Sequence, residues 1–160
     1  MKKFGVPAFA AAFVLAAATV AHAQAPAYGP DINLDNARKV AAASSAEARK
    51  NNWPVVIAVV DTHGELVYLE RLDNTQVASI KIAEGKARTA ARFKRPSKAL
   101  QDALAGGGAG LRILALEGAV AVEGGTPIMM GGAIVGAVGV SGVTAEQDGQ
   151  IANAGAGALK

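Results

Sequence analysis

The chain has 160 residues, 51% of them hydrophobic, no cysteine and a formal net charge of +3. That length holds one domain, and so apolar a composition excludes a disordered chain. Without cysteine there is no disulfide framework, thiolate metal site or cysteine nucleophile, and 4% aromatic residues argue against base stacking.

The N-terminus reads Met1-Lys2-Lys3, then an apolar stretch from Phe4 to about Val20, then Ala21-His22-Ala23-Gln24. A positive start, an apolar run and a small-x-small site are the three parts of a secretory signal peptide. The run lies near the lower limit for a membrane span and ends in the A-x-A site. Residues 1–23 are therefore predicted to be a signal peptide cleaved after Ala23, leaving no membrane span. The processed chain would keep 137 residues and, without Lys2 and Lys3, a net charge of +1. A near-neutral protein with no basic run has no electrostatic case for nucleic acid. The predicted destination is a bacterial periplasm or the exterior.

Residues 24–33 are predicted to be a flexible leader, with Asp31 and Asn33 both suited to cap a helix. Apolar spacing from Leu34 to about Lys50 predicts that helix, which Trp53-Pro54 ends. Val55 to Val60 is a continuous β-branched and apolar run, the pattern of a buried strand. Asp61-Thr62-His63-Gly64 is a turn, and Glu65 to Leu72 alternates, which completes a β-hairpin.

A second helix is predicted from about Gln76 to Phe93, with Val77, Ile80, Ala83, Ala87, Ala90 and Ala91 as its apolar stripe. Pro96 ends it, and a short helix follows from Ser97 to Leu104. Fifteen of the 19 glycines lie from Gly106 onward, so the second half is predicted to be rich in turns and tight contacts. Gly106 to Gly110 reads as a loop. Residues 118–123, 128–130 and 133–140 read as strands, and about 145–159 as a helix. The expected fold is α+β: a single two-layer domain with an antiparallel sheet of about five strands flanked by helices.

The glycine clusters do not match a phosphate loop, since Gly106 to Gly110 lacks the required lysine and Gly131 to Gly139 lacks the dinucleotide spacing. Gly139-Val140-Ser141-Gly142 does not have the spacing of a nucleophile elbow. Asp61, His63 and Glu65 alternate as metal ligands can, although a polar hairpin turn has the same pattern. His63 is the one histidine of the predicted processed chain and a candidate ligand for haem iron. Met129 and Met130 are the other soft candidates. Lys86, Thr89 and Arg92 are spaced i, i+3, i+6 along the second helix. Such a row can hold carboxylates through charge-assisted hydrogen bonds.

Four blocks of this sequence resemble the GlcG/HbpS-like family. The first runs from Val59-Val60-Asp61 through Gly64 and Leu66-Val67 to Arg71-Leu72-Asp73. The second combines Ser79-Ile80, Ile82-Ala83, Lys86-Ala87, Thr89-Ala90 and Phe93. Gly124-Gly125 with Pro127-Ile128, and Gly136 to Gly142 followed by Glu146-Gln147-Asp148, complete the match. The resemblance makes residues 34–160 a GlcG/HbpS-like domain.

It implies a profilin- or PAS-like α+β fold, homo-oligomers and a haem or tetrapyrrole cofactor. The relatives include secreted haem-binding proteins, sensor partners, C-terminal domains of PduO-type proteins and proteins linked to glycolate use. The chain departs from some of them in having no histidine in its first helix and no E-x-x-E motif.

The leading expectation is an exported haem-binding protein for capture, storage or sensing, with a sensor or uptake protein as a possible partner. No catalytic set stands out, which favours a non-enzymatic role. The alternatives are an enzyme or accessory acting on a small carboxylate such as a hydroxy acid, and an oligomeric interaction module without a small ligand. The expected cofactor-binding residues are His63, Lys86, Thr89, Arg92 and Met129, with His63 as the iron ligand.

Overall fold

A computed structural model describes residues 25–159, together with Met1. The predicted signal peptide and its cleavage site lie outside those residues, apart from Met1. Helix α1 spans Leu34–Lys50 and is capped by Asn33, whose side chain accepts from Asn36 N at 2.9 Å. Strands β1 (Val56–Val60) and β2 (Leu66–Arg71) form the expected hairpin. Helices α2 (Ser79–Arg92) and α3 (Ser97–Ala105) follow. Next come a 3-10 segment, Gly108–Ala115, and strands β3 (Gly125–Met130) and β4 (Ala133–Ser141). Helix α4 (Ala145–Ala156) begins with a Thr144–Gln147 capping box and runs into a final 3-10 turn, Gly157–Leu159. Among the described residues no helix is long and apolar enough to cross a membrane.

The strands pair antiparallel in the order β2-β1-β4-β3. Every residue of β1 is buried, because both faces of this central strand are covered. Val55, Ile57 and Val59 join Val138 and Val140 under α1 and α4. Val56, Ala58 and Val60 face Ala83, Ala87 and the other alanines of α2. The sheet is thus the middle of three layers, not one of two: a strand apolar on both faces needs helices on both sides. Pro127 sits on β3, an edge strand, where its missing N–H costs no central ladder bond.

The sheet has four strands, and residues 118–123 do not add a fifth. Their apolar alternation suggests a strand, but side chains hold the backbone instead. Thr89 Oγ1 accepts from Val120 N at 2.8 Å, Gln101 Oε1 accepts from Glu123 N at 2.7 Å, and Ser97 donates to Val122 O at 2.7 Å. The expected leader is also not free over its second half. Gly29 N donates to Ile134 O at 2.8 Å and Ile32 N to Val135 O at 2.7 Å, and Ile32 is buried. This segment extends the sheet past the end of β1, in parallel register with β4 at Tyr28 and Ile134.

Two contacts fix α2 in place. A Cβ on Gly139 would overlap the Ala83 carbonyl oxygen and the Ala87 nitrogen, so the α2 backbone rests directly on β4. Lys86 Nζ, from the same helix, donates to Asp148 Oδ2 of α4 at 2.7 Å. Both side chains are about 2–3% exposed. Asp148 Oδ1 also accepts from Val143 N. Gly124, at φ 123°, leaves room for this pair, since a Cβ there would lie 2.9 Å from Lys86 Nζ. Burial pushes the Asp148 carboxyl up, against the pull of Lys86 and the Val143 N–H.

Lys86→Met is expected to cost about 3–5 kcal/mol in urea unfolding near pH 8, because it leaves a buried carboxylate without its cation. A carboxyl whose pKa is raised in the fold contributes most stability below its unfolded value and loses it as pH rises. The deficit of the variant should therefore shrink as the pH is lowered through the acid range. A deficit that does not change with pH would show that Asp148 carries no uncompensated charge.

Candidate functional site

The β1–β2 turn collects most of the reactive side chains at one end of the sheet. Asp61 N donates to Glu65 O at 2.9 Å and closes the turn. Asp61 Oδ1 accepts from His63 N at 2.8 Å and Glu65 N at 2.9 Å, the local bonding that aspartate favours in turns. Gly64 takes φ 86°, and a Cβ there would meet Arg88 Cγ at 2.8 Å. The glycine therefore serves both the bend and the close approach of α2.

Helix α2 supports the turn with two arginines one helical turn apart. Arg92 Nε donates to His63 O at 2.7 Å, and its guanidinium pairs with Glu65 at 3.2 Å. Arg88 Nε donates to Gly64 O at 3.2 Å. Tyr28 lies at the same end of the helix, its hydroxyl donating to Ala91 O at 2.9 Å and its ring under Lys94 Nζ at 4.1 Å.

The docked leader brings Asp31 to the other side of the turn. Asp31 Oδ1 accepts from Thr62 N at 3.1 Å and from the Thr62 hydroxyl. The hydroxyl bond, then the backbone bond, holds its carboxyl below the ordinary range, with desolvation acting the other way and His63 adding a smaller pull. His63 Nδ1 lies 3.4 Å from Thr62 Oγ1 and 3.8 Å from Asp31 Oδ2. That side of the ring faces the leader, and the imidazole as a whole is 76% exposed. Carboxylate oxygens of Asp31 and Asp61 and a ring nitrogen of His63 come within 4.8 Å of one another.

The expected basic row divides. Lys86 is buried against Asp148. Thr89 is fully buried, donating to Gly85 O at 2.7 Å and accepting from Val120 N. Only Arg92 reaches the turn and His63. A step of three turns Lys86 and Thr89 toward the 120–125 segment, whereas the step of four from Arg88 to Arg92 stays on the turn. Met129 is half-buried on β3, beside the bulge at Ile128/Met129. Its neighbour Met130 is more exposed. It lines a cavity of about 280 Å³ with Pro30, Asp31, Ile32, Asn33, Asn36 and Val135, next to the residue that faces His63.

A wider cavity of about 450 Å³, lined by Arg49, Trp53, Leu72 and Asn74 among others, lies at the opposite end of β1 and offers no imidazole or thioether. From sequence alone Asp31 reads only as a cap, and Thr62 and Tyr28 carry no local signal. For Arg88 the signal is its spacing of four from Arg92.

The chain has relatives among known proteins. A model of the family described as haem-degrading protein, HbpS-like, matches residues 32–157. Protein GlcG of Escherichia coli K12 is 42% identical over 105 residues, covering 66% of this chain and 77% of GlcG. Among solved structures, a double mutant of Streptomyces reticuli HbpS superposes with TM-score 0.76 at 32% identity, covering 94% of this chain and 99% of that one. A PduOC–haem complex superposes with TM-score 0.73 at 27% identity, covering 81% and 96%.

Thr62→Val should raise the Asp31 pKa toward the ordinary carboxylate range, because the Thr62 hydroxyl is the first cause of its depression. Carboxyl carbon NMR titration measures this directly. An unmoved midpoint would mean that the hydroxyl does not stabilise the carboxylate.

Proposed function

The chain belongs to the HbpS-like family, and on that premise we propose that it binds haem, with His63 as the residue that would ligate the iron. The observation that carries the reading is the exposed imidazole of His63, its Nδ1 turned to Asp31 and Thr62. A ligating histidine commonly has a carboxylate behind its other nitrogen, which fixes the tautomer and raises basicity. The PduOC–haem complex supports the choice of ligand class, as a relative solved with haem.

The donor set of the turn fits the group. Haem supplies an iron that takes a nitrogen ligand and two carboxylates that take cations. His63 would offer the nitrogen. Arg92 and Arg88, whose Nε atoms are held by the carbonyls of His63 and Gly64, would offer guanidinium N–H donors to the carboxylates. Tyr28 and Leu66, both partly exposed, would give apolar contact. We propose capture, storage or sensing of haem as its role, in a periplasmic or secreted setting, with a sensor or uptake protein as partner.

Self-association is part of the proposal. The 3-10 segment Gly108–Ala115 has no buried residue although it carries Leu111, Ile113 and Leu114, and Val122 is exposed beyond it. Exposed apolar side chains concentrated in one short segment are a candidate interaction surface, and a second copy of the chain is the proposed cover.

Haemin titration tests the ligand. The protein should give a saturable Soret shift at micromolar haemin, His63→Ala should weaken binding at least tenfold, and Arg92→Ala should weaken it several-fold. Unchanged spectra for His63→Ala would remove His63 as ligand, and no saturable shift in the unaltered protein would remove the haem reading. Light scattering after size exclusion tests assembly. Leu114→Glu should shift an oligomer toward monomer, and an unaltered mass would exclude this face.

A further inference from the structure

We propose that Asp31, Asp61 and His63 form a divalent-cation site, closed through His63 Nδ1 and one oxygen from each carboxylate. The haem reading uses Nε2 and keeps the proton on Nδ1, whereas this site needs Nδ1 unprotonated, so one imidazole serves one of the two roles at a time.

The three groups converge from two stretches of chain. Asp31 comes from the docked leader and Asp61 and His63 from the β1–β2 turn, yet their ligand atoms lie within 4.8 Å of one another. Each carboxylate is oriented by its other contacts. Asp31 Oδ1 is held by the N–H and hydroxyl of Thr62. Asp61 Oδ1 is held by the N–H groups of His63 and Glu65. That leaves Asp31 Oδ2, 3.8 Å from His63 Nδ1, and Asp61 Oδ2 to meet an ion.

The charge balance points the same way. Among the described residues, no lysine or arginine nitrogen lies within 4 Å of either carboxylate, and the nearby Arg92 pairs with Glu65 instead. Two neighbouring carboxylates therefore face one imidazole and no lysine or arginine, and a bound cation would balance their charge. One nitrogen and two oxygens suit a borderline ion such as Zn²⁺ or Co²⁺ better than Ca²⁺, which takes six to eight oxygen ligands. Ligand separations within 4.8 Å contract to metal geometry by side-chain rotations. Three protein ligands leave positions open for water or an anionic ligand. Because Asp31 belongs to the leader, the site exists only while that segment is docked on β4.

Titration of the haem-free full chain with Co²⁺, followed by its visible absorption and by calorimetry, tests the site. The unaltered protein should bind one ion per chain at this site. Asp31→Asn, Asp61→Asn and His63→Gln should each weaken that binding at least tenfold. The asparagine variants keep an amide oxygen for the Thr62, His63 and Glu65 donors, so circular dichroism should show the fold unchanged. Asp61→Asn should also keep the haemin Soret shift, which separates failure of this site from failure of the haem reading. Absence of Co²⁺ binding, or binding unaltered by all three substitutions, would overturn the proposal.

Discussion

The geometry of the site depends on how closely α2 approaches β4. Nothing larger than a hydrogen separates Gly139 from the Ala83 carbonyl and the Ala87 nitrogen. A helix normally stands off a sheet by the length of its side chains, and here alanines and a glycine remove most of that distance. The approach lets Arg88 and Arg92, one and two turns further on, reach the carbonyls of the β1–β2 turn. A side chain at position 139 would push the helix outward and draw both guanidiniums off the turn. The His63 turn is thus held in place by small residues that touch none of its reactive atoms.

The Lys86–Asp148 pair secures the same helix from the other side of the sheet. It links α2 on one face to α4 on the other, past the glycines that open β3. Such a pair adds little net stability compared with a well-packed apolar substitute. It does specify one arrangement, because a slipped α2 would leave a lysine and a carboxylate buried apart. Asp148 lies near the N-terminal end of α4, where the helix dipole also favours an anion.

The parts read most directly from sequence are those with a strong local pattern. The apolar run at Val55–Val60, the Asp-x-x-Gly turn and the alanine stripe of α2 all form as their residues predict. The family membership and the α+β class follow from the same blocks. The reading is weakest where local pattern and tertiary partner disagree. Lys86 has the spacing of a surface cation, but its face of α2 is covered by the 120–125 segment, and only a carboxylate 62 residues away makes its burial tolerable. Residues 118–123 alternate like a strand, yet Thr89, Ser97 and Gln101 take their backbone groups. Asp31 could not be assigned from its neighbours, because its partner Thr62 is 31 residues away in the chain.

The docked leader gives the N-terminus a mechanical role. Residues 27–32 occupy the lane beyond β1, and Asp31 reaches the turn from that lane. With cleavage after Ala23, Asp31 would be the eighth residue of the processed chain. Peeling back a single short segment would then withdraw the carboxylate behind His63, uncover the edge of β4 and expose Ile32 together. A load applied at that end, such as a fused domain, an affinity tag or attachment to a surface, would pull first on the segment that organises the histidine.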